Sequence, residues 1–108
     1  MSIAAVSEET FDSEVLESDR LVLVDYWADW CAPCRAMGPV LEELDRAFEG
    51  RLRICKVNID ENPRLALANR IVSIPTLCLY QDGKVVKRMV GLQEPEEMKE
   101  IIRPYLAK

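Results

Sequence analysis

The chain of 108 residues has no histidine, only four glycines, no cluster of basic residues and no long apolar run. No apolar stretch approaches the roughly 18 residues of a membrane-spanning helix, and the amino terminus lacks the basic and apolar segments of a secretory leader. A formal charge of −5 argues against non-specific nucleic-acid binding. No glycine-rich fingerprint for a nucleotide or flavin is present. We therefore expect one cytosolic domain over residues 1–108 that carries no cofactor and binds neither membranes nor nucleic acid.

The central feature that is present is a pair of cysteines in the segment Trp30-Cys31-Ala32-Pro33-Cys34. Helical residues i and i+3 have Cβ atoms about 5 to 6 Å apart, so such a pair can close a disulfide with little movement. Pro33 fits a first helical turn, which places Cys31 at the helix entrance. Unpaired N–H groups and the positive end of the helix dipole stabilise a thiolate there. We expect Cys31 to attack disulfides and the more covered Cys34 to resolve the product.

The same spacing also occurs in zinc knuckles and in structural disulfides. A closed zinc site takes four ligands, and the remaining cysteines, Cys55 and Cys78, stand alone in apolar strand-like runs. A structural disulfide is disfavoured without a secretory context. Cys55 and Cys78 are interpreted as buried small hydrophobic residues.

Hydrophobic periodicity and turn signals predict alternating strands and helices with no linker or repeat. Ser7 is a candidate N-cap, Pro39 should kink the longest helix near Gly38, Gly50 is a candidate C′ residue, and Pro104 should end the last helix. The predicted order is strand 3–6, helix 8–18, strand 21–28, helix 34–48, strand 52–59, helix 64–70, strand 77–80, strand 85–90 and helix 94–103.

This order predicts an α/β fold with helices on both faces of the sheet. Strands that alternate with helices favour parallel pairing, and a turn at Asp82-Gly83 adds an antiparallel hairpin at one edge. The loop with Cys31 then leaves the carboxyl end of a central strand, where open α/β sheets place their sites.

One carboxylate interrupts the apolar run of the second strand. Asp25 lies six residues before Cys31, and burial raises a carboxyl pKa toward the range useful for proton transfer. The alternative is an aspartate at a strand end that reaches solvent or a backbone donor. Lys56 could approach Asp25 from a neighbouring strand, although an edge lysine in water is the commoner case.

The chain resembles the thioredoxin family along essentially its whole length. The resemblance is carried by residues 24–34, which are similar to the family's active-site signature, by residues 56–60, by Ile74-Pro75-Thr76, by Asp82-Gly83 and by Val90-Gly91. It implies a central mixed five-stranded sheet flanked by four helices.

The resemblance also assigns roles to particular residues. Cys31 is the exposed nucleophile, Cys34 is the resolving thiol, Asp25 is a buried base that takes the Cys34 proton, and Lys56 modulates Asp25. Trp27 packs beneath the site and Pro39 is structural. The substrate-binding surface, including a cis peptide bond before Pro75, comprises Trp30, Ala32, Pro33, Ile74, Pro75 and Gly91.

Three positions depart from the family pattern without removing a catalytic group. Ala32 stands where the family usually has glycine, Ser73 replaces a common glycine, and Leu92 extends the docking edge. The added methyl group of Ala32 restricts the loop and can shift the redox potential or the fit to partners.

These observations predict a thiol-disulfide oxidoreductase that reduces protein disulfides. It would be recharged by a separate reductase and would act as a monomer. The rival enzyme is an oxidase or isomerase of the same fold, and the non-enzymatic rival is a module that holds a partner without redox turnover. Oxidases and isomerases often carry histidine between the cysteines, whereas Ala32-Pro33 offers no such charge.

Overall fold

The structure is a computed structural model that describes residues 3–106 of the chain. A π-helical segment, Asp12–Leu16, replaces the predicted helix 8–18 and lies between the first two strands. The elements are β1 (Ile3–Ala5), β2 (Leu21–Trp27), α1 (Ala32–Ala47), β3 (Leu52–Asn58), α2 (Pro63–Ala68), β4 (Thr76–Gln81), β5 (Lys84–Val90) and α3 (Pro95–Leu106).

The five strands form one mixed sheet in the order β1-β3-β2-β4-β5, with β1, β3 and β2 parallel and both β2–β4 and β4–β5 antiparallel. The prediction of parallel pairing after every helix is therefore wrong for β4. The connection over residues 59–75 brings the chain back at the carboxyl end of β2, where Thr76 at the start of β4 pairs with Tyr26. β4 therefore runs opposite to β2.

Two apolar clusters hold the layers together, one on each face of the sheet. Leu23 and Ile54 face the cluster with Met37 and Leu41 of α1 and Ile102 of α3. The opposite face of the sheet packs against the π-helical segment, with Leu65 of α2 at its border. Helices therefore cover both faces, as the sequence predicts, and no helix within residues 3–106 has the length and apolar character needed to cross a membrane.

The last helix continues through Pro104 to Leu106, so the prediction that proline ends it is wrong. Proline within a helix loses one hydrogen bond and crowds the preceding turn. Tertiary contacts hold the final turn nevertheless: Gln81 donates to the Tyr105 carbonyl at 3.3 Å, and the Tyr105 hydroxyl donates to the Val86 carbonyl at 3.4 Å. Tyr105 and Leu106 also pack against the core.

Local turn chemistry agrees with the sequence in one place and differs in two others. Asp82 and Gly83 both have positive φ, 53° and 79°, as the tightest hairpin turns require. Gly83 has a second constraint, since a Cβ there would lie 2.9 Å from the Leu16 carbonyl oxygen. Gly50 follows the C-cap Phe48 by two residues and is not the C′ residue, and Ser7 caps no α-helix. Pro39 lies inside α1 as predicted; the kink near Gly38 stays a prediction.

Candidate redox site

Cys31 and Cys34 form a disulfide at the amino terminus of α1, with Cα atoms 5.2 Å apart. Cys31 is the N-cap of α1, and Pro33 lies in the first turn, as the sequence predicts. The Cys34 backbone N–H points at the Cys31 sulfur, 3.2 Å away. That N–H belongs to the unsatisfied donors of a helix start, which favour negative charge. The arrangement can close and open a disulfide and can stabilise a thiolate on Cys31.

The loop before β4 lies directly against this disulfide. The Cys31 sulfur is 3.7 Å from the Ile74 carbonyl oxygen, and the Ile74–Pro75 peptide bond is cis, as the resemblance implies. The Gly91 N–H donates to the Pro75 carbonyl at 2.8 Å, and Gly91 has a φ of 91°. These contacts bring Ile74, Pro75 and Gly91 to the edge of the site although they are far from Cys31 in sequence. The expectation of an exposed Cys31 beside a more covered Cys34 is wrong for the disulfide form, in which both cysteines are buried, with 5% of Cys31 and 3% of Cys34 exposed.

Asp25 is fully buried in β2. Side chains alternate along a strand, so Asp25 shares the face of Leu23, which α1 covers. Within residues 3–106, no protein group donates a hydrogen bond to either carboxylate oxygen. Burial raises the pKa of Asp25 from its ordinary 3.8 to about 7, and the charge of Lys56 partly opposes this rise. A carboxyl group with this pKa can exchange protons near neutral pH.

Lys56 is placed beside Asp25 by the parallel register of β2 and β3, in which the two residues are direct neighbours. Its ammonium nitrogen also lies 4.5 Å from the centre of the Trp27 ring, within the range of a cation–π contact. Trp27 therefore contacts Lys56, and its place beneath the site stays a prediction. The sequence hypothesis that Lys56 approaches Asp25 is confirmed by this register.

The surface around the disulfide is apolar and exposed on one side. Trp30 is 68% exposed, and its indole N–H donates to an Asp60 carboxylate oxygen at 2.9 Å. A cavity of about 300 Å³ opens beside it and is lined by Trp30, Ile59, Ile71, Val72, Ser73 and Ile74. The sequence did not indicate a site role for Asp60, Ile59, Ile71 or Val72. Two adjacent apolar residues between a predicted helix and strand, Ile71 and Val72, are a signal that could have indicated part of this cavity.

The remaining predicted residues divide into two that lie beside the disulfide and three that lie away from it. Ala32 and Pro33 are exposed beside the disulfide, whereas Pro39 lies in α1 away from it. Cys55 and Cys78 are free and fully buried, as predicted, and burial raises the pKa of both thiols.

Comparison with known proteins gives a consistent match. Residues 2–104 match the family model described as Thioredoxin. The chain is 44% identical to Thioredoxin 1 of Nostoc sp. over 107 residues, covering 98% of this chain and 100% of that protein. It is 42% identical to a thioredoxin of Staphylococcus aureus over 106 residues, covering 98% and 100%. A thioredoxin of Chlorobaculum thiosulfatiphilum is 49% identical over 85 residues, 79% of each chain.

Proposed function

Because the chain belongs to the thioredoxin family and carries a redox pair, it is a thiol-disulfide oxidoreductase, and we propose that Cys31 attacks its substrates and Cys34 resolves them. The observation that carries this assignment is the position of Cys31 at the N-cap of α1, against the exposed loop at Ile74. Cys34 lies inside the first turn of α1.

In the first step the Cys31 thiolate attacks one sulfur of a substrate disulfide. A bond forms between Cys31 and that sulfur, the substrate S–S bond breaks, and the second substrate sulfur leaves as a thiolate. The Cys34 N–H, 3.2 Å from the Cys31 sulfur, and the helix dipole stabilise the attacking anion. Within residues 3–106, no N–H group donates a hydrogen bond to the Cys34 sulfur. This difference supports Cys31 as the attacking cysteine and Cys34 as the resolving one.

In the second step the Cys34 thiolate attacks the Cys31 sulfur. The Cys31–Cys34 disulfide forms, and the first substrate sulfur leaves as a thiolate that takes up a proton. Cys34 must first lose its own proton. Asp25 lies under α1 with two oxygens that no protein donor occupies and a pKa raised by burial to about 7, so it is suited to accept that proton. Lys56 sets how readily Asp25 ionises.

The substrate segment would dock on the apolar surface formed by Trp30, Ala32, Pro33, Ile74, Pro75 and Gly91. Support for this surface comes from the exposure of Trp30 and from the cavity between Trp30 and Ile74. The Trp30–Asp60 hydrogen bond fixes one wall of that cavity before a substrate arrives. A preorganised wall lowers the entropy lost on docking.

The family implies disulfide-containing protein substrates and a reductase that returns the oxidised pair to the dithiol. We propose in addition that the protein works as a monomer in the cytosol. The proposed site is assembled from one chain, and the two free buried cysteines are typical of a reducing compartment.

Replacing Asp25 by asparagine tests the proton-acceptor role. We expect the second step to slow by roughly 10-fold to 100-fold at neutral pH and the first step to change by less than about threefold, since only Cys34 needs the acceptor. Stopped-flow tryptophan fluorescence with a peptide disulfide separates attack from resolution. The exposed Asp19→Asn variant makes the same change of charge on the surface and should leave both steps unchanged. Equal slowing of the two steps by Asp25→Asn would remove Asp25 from this role.

A further inference from the structure

A second cavity, of about 390 Å³, lies beside the proposed docking surface and is lined by Arg70, Val72, Ser73, Thr76, Arg88 and Val90. It shares Val72 and Ser73 with the apolar cavity next to Trp30. Ile74, which contacts Cys31, and Thr76, which lines the second cavity, are two residues apart. Consecutive Cα atoms are about 3.8 Å apart across a trans peptide and about 2.9 Å apart across a cis one, so the Cα atoms of Ile74 and Thr76 lie within about 7 Å of each other.

The charge of this cavity is opposite to that of the whole chain. The formal net charge is −5, yet residues 69–92 contain four basic residues and one acidic residue. The acidic residue is Asp82, in the hairpin turn at the far end of β5. Arg70 and Arg88 are exposed, and both line the cavity. Positive charge is therefore concentrated at the edge of the docking surface.

Arg88 is held near Arg70 by a hydrogen bond to Asn69, the residue that precedes Arg70. Arg88 donates to the Asn69 carbonyl at 2.7 Å, and the Tyr80 hydroxyl donates to the Asn69 side-chain oxygen at 3.0 Å. Tyr80 in turn bonds the buried Tyr26 hydroxyl at 2.7 Å. Arg70 follows directly, with a left-handed φ of 56°. The Arg88 guanidinium is thus anchored before a ligand arrives, and both arginines line the same cavity.

Neither arginine has an acidic partner among residues 3–106, where the ion pairs involve Arg53, Lys99 and Arg103 instead. Two like charges held on one cavity repel each other, and a bound carboxylate would relieve that repulsion. Arginine also offers paired N–H donors that match a carboxylate. The cavity is therefore suited to an acidic side chain.

We propose that Arg70 and Arg88 form a binding site for an acidic side chain of the protein substrate, two to four residues from its reacting cysteine. This proposal rests on the proposed function, because the substrate segment must first dock beside Cys31. The β5 edge of the sheet continues the surface outward from this site, since β5 is the last strand in the sheet order. Substrates with acidic residues beside the reactive disulfide would then be reduced faster than neutral or basic ones.

The test uses short peptides whose single cysteine forms a mixed disulfide with thionitrobenzoate. Cys31 attacks the peptide sulfur, the bond to thionitrobenzoate breaks, and the released coloured thiolate reports the rate. Glutamate, glutamine or lysine is placed at the second, third or fourth position on either side of the cysteine. We expect glutamate to be favoured over lysine by about fivefold to tenfold at one or two positions, and high salt to reduce this preference.

The matched variants are Arg70→Gln with Arg88→Gln and, as control, Lys84→Gln at the start of β5, about 13 Å along the strand from Arg88. The double variant should lower the glutamate-to-lysine rate ratio to below about twofold, whereas Lys84→Gln should keep the wild-type ratio. Because the readout is a ratio, a general loss of activity does not change it. The proposal would be overturned if the double variant kept the wild-type glutamate-to-lysine rate ratio, or if the wild type reduced both peptides at the same rate.

A binding measurement separates this proposal from the proposed function. The same peptides with serine in place of cysteine are titrated into the wild-type protein, and NMR shifts are followed at Arg70 and Arg88. Larger chemical-shift changes with the glutamate peptide than with the lysine peptide support a binding site for an acidic side chain, even if no peptide is reduced. Equal shifts with glutamate and lysine peptides contradict it even if every peptide is reduced.

Discussion

Replacing Cys31 by serine is expected to reduce disulfide reductase activity by roughly 10³-fold or more. A serine hydroxyl does not ionise near neutral pH and forms no mixed disulfide, so neither step of the exchange can begin. Cys34 remains, but it lies inside the first turn of α1 and lacks the N-cap position that stabilises a thiolate on Cys31. Insulin reduction by the protein with an excess of a small dithiol, followed by turbidity, measures the loss.

The control for this prediction is the double variant Cys55→Ala with Cys78→Ala. These thiols are fully buried and burial raises the pKa of both, so they are poor nucleophiles. We expect this variant to keep activity within about twofold of the wild type, provided that circular dichroism shows it folded. A Cys31→Ser protein that still reduced insulin at a rate near the wild type would contradict the assignment of the nucleophile.

Replacing Asp25 by asparagine is expected to stabilise the oxidised protein at pH 8 by about 4 kcal/mol. The pKa of Asp25 is about 7 in the folded protein and 3.8 as an ordinary carboxyl group. Between these values the folded chain binds more protons than the unfolded chain, so stability falls as the pH rises through this window. Above pH 7 the penalty of the buried charge is fully present. Asparagine has a similar size and no charge, and its advantage should therefore grow with pH.

Denaturant unfolding of both proteins at pH 5, 6, 7 and 8 measures this difference. We expect a gain in the free energy of unfolding of about 1 to 2 kcal/mol at pH 5 that rises to a plateau of about 4 kcal/mol at pH 8. The control is the Asp19→Asn variant, which removes an exposed carboxylate instead of a buried one. If the gain in the free energy of unfolding did not change with pH, or if the variant were less stable at pH 8, burial would not destabilise the charged form of Asp25.

Most of the fold can be predicted from the sequence because its patterns are local. The continuous apolar run at Leu21–Trp27 and the helical stripe in Ala32–Ala47 each indicate their element and its buried faces. The antiparallel direction of β4 depends on where the chain re-enters the sheet, with Thr76 paired to Tyr26, and the helix through Pro104 depends on contacts with Gln81 and Val86. These features arise from contacts between distant segments, which local patterns do not contain.

The same distinction applies to the site. Cys31 and Cys34 are indicated by their spacing, and Asp25 is indicated by a charge in an apolar strand. By contrast, the apolar cavity and the Arg70–Arg88 cavity combine residues from loops and strands that meet only in the folded chain. Arginine on an exposed strand or loop is ordinary in sequence, and the two arginines gain significance only from the cavity that they line next to the proposed docking surface.

The measurement that most directly tests the account is the capture of the mixed disulfide by the Cys34→Ser variant. The reduced variant is mixed with a peptide disulfide, and the product is mapped by mass spectrometry before and after addition of a reductant. We predict one stable, reducible adduct on Cys31, and little or none when Cys31→Ser is used with Cys34 intact. An adduct that forms as fast on Cys34, or no adduct from folded Cys34→Ser protein, would contradict the proposed order of attack and resolution.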